Sequence, residues 1–210
     1  MQISQGGRAG SHPDVLLRFR EIVGEGNITG PYRGYLFYWK TTRKDVIDQI
    51  ALRLWPYLSE EKRAQFAAMT LAAGRDLPAS LHSAPIAART QLAWAAGLFD
   101  GEGSIWASGP RGASWRSPAM EIAQSSSSGI PETLRRFLGA VGVGSICGPH
   151  PPRSPWSRLP QYRSAVSGRH RTSVVVRVIW PWLGVVKREQ ILALRKWLDP
   201  DIAELRASDT

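Results

Sequence analysis

The densest chemistry in the sequence lies in four consecutive residues, Asp100-Gly101-Glu102-Gly103. They follow Gln91-Leu92-Ala93-Trp94-Ala95-Ala96-Gly97-Leu98-Phe99, a run without proline or β-branching that predicts a helix. The glycines are expected to break that helix at Asp100, and Ser104-Ile105-Trp106 to begin a strand. Two carboxylates at a helix C-terminus face the negative end of the helix dipole, so the arrangement calls for a cation. Hard carboxylate oxygens suit a divalent ion such as Mg²⁺. A solvated acidic turn accounts for the same four residues without any ligand. On the helix itself, Ala93, Ala96 and Gly97 make one face small enough for a second helix backbone to approach closely.

The rest of the chain is basic. Among 210 residues, 27 Lys and Arg stand against 17 Asp and Glu, a formal net charge of +10. Only Lys40, Lys44, Lys62, Lys187 and Lys196 are lysine, and the remainder are arginine, whose fork fits phosphates and guanine edges. This excess predicts a polyanionic partner, although GC-rich coding would inflate arginine without any function. No stretch approaches the roughly 18 apolar residues of a membrane span. No basic segment followed by an apolar one opens the chain, and the single cysteine, Cys147, excludes an internal disulfide. These features predict an intracellular, cytoplasmic setting, in a bacterium, phage or organelle. His12, His82, His150 and His170 show no ligand spacing.

An internal repeat organises the chain. Pro13 to Phe19 matches Pro131 to Phe137, and Val23 to Pro31 matches Val141 to Pro149. Met1 to Gln5 echoes Met120 to Gln124, Trp55-Pro56 pairs with Trp180-Pro181, and Lys62-Arg63 pairs with Lys187-Arg188. The expected boundaries are a first repeat over 1–73, a linker over 74–88, a second repeat over 89–200 and a tail over 201–210. Met120, Ile122 and Gln124 alternate as in a strand. The proline-led segment that follows places Leu134, Phe137 and Leu138 on one helical face. Residues 44–54 read as a helix stopped by Pro56. Their counterpart from Thr172 to Trp180 is valine-rich and strand-like by propensity, but the repeat predicts a helix there. Last helices are expected from Lys62 to Ala73 and from Lys187 to Leu198.

Ala95 to Gly103, read as AAGLFDGEG, resembles the motif of the LAGLIDADG homing endonucleases. The Gln ending the Met120 strand, the Pro-x-x-Leu helix, the Val-Gly-x-Gly turn and the Trp-Pro-x-Leu then Lys-x-x-Gln ending are also family-like. The resemblance implies an α+β fold of αββαββα repeats, paired through their motif helices beneath antiparallel, saddle-shaped sheets in the DNA major groove. It implies metal-dependent hydrolysis of both strands of a long specific DNA site. Glu102, with Gly101 beside it, would serve Mg²⁺, and Gln124 and Lys187 would assist, with Gln5 and Lys62 as their equivalents. Ala93, Ala96, Gly97 and Asp100 would lie at the helix interface, Asp100 mainly as a structural residue. The repeat that starts at Met1 has no motif helix, so a homodimer through residues 92–100, or weak activity, is expected of this chain.

Two segments mix arginine, proline and aromatics: Ser108 to Ser117, with Arg111 and Arg116, and Pro149 to Arg171, with Arg153, Arg158, Arg163 and Arg169. They read as hairpins reaching along DNA, joined in the first repeat by Arg33 and Lys40, although ordinary solvated loops have the same composition. Two rivals remain: a DNA-binding relative without cleavage, and an RNA-binding intron maturase.

Overall fold

A computed structural model describes residues 1–7, 10–77, 81, 86–110, 116–152 and 158–205. The chain divides into two compact units, residues 1–85 and 86–210. It is α+β, with two antiparallel sheets.

In the first unit, β1 (Gln2–Gly6), α1 (Asp14–Val23), β2 (Asn27–Tyr32), β3 (Leu36–Lys40), α2 (Lys44–Leu54), a 3₁₀ turn (Trp55–Tyr57) and α3 (Glu60–Ala72) follow in order. The sheet order is β1-β3-β2. Pro13 immediately precedes α1, and Gly24 ends it in the left-handed conformation (φ 75°) that glycine adopts without steric cost. Leu16, Phe37, Trp39, Val46 and Ile50 form the core under one sheet face.

In the second unit, α4 (Ala88–Glu102), β4 (Gly103–Ser108), β5 (Ser117–Ser125), α5 (Glu132–Val141), β6 (Ser145–His150), β7 (Gln161–Ser167) and α6 (Arg169–Ile179) give the order αββαββα. A 3₁₀ turn (Trp180–Trp182), α7 (Val185–Leu192) and two further 3₁₀ turns (Arg195–Trp197 and Pro200–Glu204) complete it. The sheet order is β4-β5-β7-β6. Met120 and Ile122 of β5 and Tyr162 and Val166 of β7 face a core shared with Phe99, Leu134, Phe137 and Ile179. The alternate residues, among them Glu121, Ala123 and Arg163, face away from that core, as the two-residue strand period requires.

The repeat is visible in the pairing. Gln5 lies opposite Phe37 as Gln124 lies opposite Tyr162. The register shifts between Thr29 and Tyr32, and again between Cys147 and His150. Residues 169–179 are helical despite their valines, because Val175, Val176 and Ile179 bury one helical face and tertiary packing outweighs propensity. Two expectations fail locally. Helix α4 does not break at Asp100 but continues to Glu102. Helix α7 stops at Leu192 instead of reaching Leu198, and 3₁₀ turns carry the rest. No helix among the described residues is long and apolar enough to cross a membrane.

Candidate active site and nucleic-acid interface

The end of α4 is positioned by the start of α7. Asp100 Oδ2 accepts a hydrogen bond from the Gly184 backbone N–H at 2.8 Å, capping α7 from a different helix. A side chain on Gly184 would crowd that carboxylate, since a Cβ there would lie 3.2 Å from Oδ2. The acid placed at the unfavourable end of one helix dipole thus serves the favourable end of another. Gly103 is fixed by space: a Cβ would fall 2.1 Å from the Phe99 ring, so the chain leaves α4 and enters β4 only with glycine there.

Lys187 completes this junction. Its Nζ donates to the Gly103 carbonyl and to Gln190 Oε1 at 3.2 Å, and stands 5.4 Å from the centroid of the Phe99 ring. Desolvation pushes the Lys187 ammonium below the usual lysine range, against a smaller opposing pull from Asp100. A lysine so placed keeps a donor-rich head beside the helix end and gives up its proton more readily than a surface lysine.

Glu102 is the last residue of α4; it is exposed, with no hydrogen bond or ion pair among the described residues. Gly101 is exposed beside it. Its carbonyl is one of the final four that a helix leaves without an intrahelical partner. Among the described residues no cluster of three His, Cys, Asp or Glu forms a ready-made metal cage. The donor set nonetheless fits a hard divalent ion held by one carboxylate, one carbonyl, water and substrate phosphate, the way Mg²⁺ is commonly bound.

The other expected residues are placed as follows. Gln124 accepts a hydrogen bond from the Thr133 hydroxyl of α5, which turns its amide toward that helix. Gln5 is half-buried on β1, and exposed Lys62 donates to Gln65 Oε1 at 3.0 Å. Ala96 is fully buried in the core of its own unit, so spacing misassigned it to an open helix face. Asp100 likewise turns to Gly184 within its unit. Ala93 is half-buried and Gly97 exposed, and with Gly101 they form the small-residue face, four residues apart.

On the open face of the second sheet, Arg163 reaches Glu121 Oε2 at 3.5 Å and Gln161 Oε1 at 3.1 Å. In the first sheet Tyr38 stands at the place of Arg163, and Lys40 Nζ, two residues on, lies 4.9 Å from the Tyr38 ring centroid and 5.9 Å from that of Tyr32. Arg33 occupies the β2–β3 turn at φ 53° and is exposed, as is Arg158. Arg116 donates to the Ala107 carbonyl, and Arg169 to the carbonyls of Lys196 and Trp197. Arg111 and Arg153 lie outside the described residues. Gly184, Glu121 and the buried Arg188 were not singled out by sequence. The repeat offered a signal for Gly184, which stands where the first copy has Ser59.

No protein-family model matches the sequence, nor does any curated protein. Among solved structures, the chain is similar to I-SmaMI bound to uncleaved DNA target in the presence of calcium ions, at 12% identity and TM-score 0.51, covering 98% of this chain and 85% of that one. It is similar to the meganuclease I-SmaMI bound to uncleavable DNA at 13% identity and TM-score 0.50, covering 97% and 82%. The homing endonuclease I-CvuI with its target matches at 18% identity and TM-score 0.40, over 51% of this chain and 66% of that one. I-SmaMI is a LAGLIDADG homing endonuclease, and the fold of this chain is therefore LAGLIDADG endonuclease-like.

Proposed function

We propose that this chain binds double-stranded DNA at a long specific site and hydrolyses phosphodiesters with Glu102 as the acid at the reacting end. The observation that carries this reading is the placement of Glu102. It is a carboxylate with no hydrogen bond or ion pair among the described residues, on the last residue of the motif helix, where that helix feeds the first strand of the sheet, with Lys187 held one residue beyond it. In this reading Glu102 and the Gly101 carbonyl hold a divalent metal, which when bound would polarise the phosphate and lower the pKa of water. Lys187 supplies positive charge beside the developing phosphate charge, and Asp100 fixes the helix end through Gly184. Arg163, Lys40, Arg33 and Arg158 contact bases and phosphates, in the second case contributing affinity without sequence information.

Glu102→Gln is expected to lower cleavage by about 10²–10³-fold, the scale of one lost preorganised electrostatic group. DNA affinity should stay nearly unchanged, because phosphate contacts dominate it. Cleavage and gel-shift titrations on one preparation test this; parallel loss of both would assign Glu102 a folding role instead.

A second copy of the chain is the proposed partner of the Ala93/Gly97 face, since an isologous pair would bring two Glu102 side chains together. A Cβ at Gly97 would meet nothing within 4 Å. Gly97→Leu should therefore leave the unit folded and shift the mass measured by light scattering from dimer to monomer. An unshifted mass would remove the pairing.

A further inference from the structure

The second unit carries a cluster of cations outside the motif end and outside the Glu121–Arg163 pair. Two of them approach Trp197: the Arg116 guanidinium lies 5.0 Å from its ring centroid and Lys196 Nζ 4.2 Å. Arg169 binds the same turn from below its carbonyls, with Nε 3.3 Å from Trp197 O and Nη2 3.1 Å from Lys196 O. Arg195 is exposed in that turn. None of the four cations has an ion-pair partner among the described residues. The nearby carboxylate of Asp199 is already held by Arg177 at 3.0 Å. Glu189 lines the open depression shared by Arg195, Lys196 and Trp197, and leaves the cluster strongly positive.

Uncompensated like charges held together repel one another, so their gathering is stabilised by a polyanion. The position selects which one. Arg116 donates to Ala107 near the far end of β4, while Glu102 abuts the near end at Gly103. At about 3.4 Å per residue, roughly 14 Å of strand separates the two ends. Successive phosphates on one DNA strand rise about 3.4 Å along the duplex axis, so a cluster displaced by that length along the axis meets the backbone some four nucleotides from the reacting end.

We infer that Arg116, Arg169, Arg195 and Lys196 around Trp197 form a backbone clamp for duplex DNA on the flank of the site read by the sheet. The inference rests on the proposed DNA-binding reading. Trp197 fixes the cations in place by stacking, and the clamp carries no base preference, because phosphates present the same oxygens at every step.

The test uses the full chain and a duplex site selected from a randomised library. Arg195→Gln combined with Lys196→Gln alters exposed side chains only. It should weaken binding to the selected site at least about tenfold at physiological salt and reduce the salt slope by about 2 for each bound chain, the loss expected for two phosphate contacts. The selected sequence should be unchanged, and backbone protection from hydroxyl radicals should vanish where each bound chain's cluster meets the DNA. Unchanged affinity and slope, with the parent protein still bound to its site, would overturn the clamp and leave the DNA-binding reading intact. An altered selected sequence would also overturn it, by showing base readout. Failure of the parent chain to bind any duplex at low salt would overturn the DNA-binding reading itself.

Discussion

The two units begin their last long helix in different ways. In the first, Ser59 caps α3 locally, its hydroxyl accepting from the Lys62 N–H at 3.3 Å. In the second, the equivalent Gly184 has no side chain, and Asp100 reaches in from α4 to make the cap. The downstream clip is otherwise the same, with Lys62 bound to Gln65 as Lys187 is to Gln190. The Ser59 hydroxyl takes the N–H three residues into its helix, whereas the Asp100 carboxylate takes the N–H of the cap residue itself, so the two helix starts are held at different donors. At this start the absent side chain leaves the space that the Asp100 carboxylate occupies.

The comparison extends to the arginine that follows. Arg63 donates to the carbonyls of Trp55 and Pro56 at 3.0 and 3.4 Å, and Arg188 to those of Trp180 and Pro181 at 3.2 Å each. Arg188 is only 1% exposed, whereas Arg63 is half-buried. Replacing Arg188 by alanine is expected to have the largest effect on stability, about 3 kcal/mol, because charge-assisted bonds are lost and carbonyls stranded out of water. Arg63→Ala should cost only about 1 kcal/mol, since water can replace its bonds. Denaturant melts of the two variants, with hydrogen exchange to locate the loss, would break the comparison if the costs were equal.

Next in size is the cap itself. Asp100→Ala should destabilise the second unit by about 1–2 kcal/mol and Ser59→Ala the first by about 1 kcal/mol, as losses of N-caps do. The sharper distinction is local. Asp100→Ala should speed exchange both at the start of α7 and at the end of α4, whereas Ser59→Ala should affect α3 alone. Loosening confined to α7 would separate the cap from the positioning of Glu102.

The smallest effect concerns Lys187, whose folded-state pKa is lowered chiefly by desolvation. The unfolded chain then binds more protons than the folded one between the folded pKa and about 10.5, so stability rises with pH across that window. The cost of holding Lys187 charged is complete below the folded pKa and is relieved above it. Against Lys187→Met, the parent protein should gain relative stability as pH rises toward 10.5, and the ¹⁵Nζ resonance of Lys187 should titrate below that value. A pH-independent difference would put the ammonium in water.

Much of the fold was legible because the repeat supplied a second reading of each element. The valine-rich residues from Thr172 read as helix only because their counterpart over 44–54 is plainly helical, and the chain is helical there up to Ile179. What stayed hidden depended on space and not on pattern. Nothing in the run Asp100-Gly101-Glu102-Gly103 says that Gly101 will be carried inside the helix and that the chain will leave it only at Gly103. The Asp100 cap needs a glycine 84 residues away, and Ala96 looked like a face residue because sequence spacing does not say which side of a helix meets the core. The acids and lysine at the motif end were visible as types, whereas the bonds that orient them were not.

The two ties at that end, Asp100 to Gly184 and Lys187 to Gly103, each join residues 84 apart in the chain. Links so distant in sequence form only after the loop between them has been closed, and loop closure makes such contacts late and slow to form. During synthesis, the segment bearing Glu102 emerges well before the residues that hold it. The terminal turn of α4 is therefore held loosely in a nascent or partly refolded chain and takes its final place only once α7 has docked.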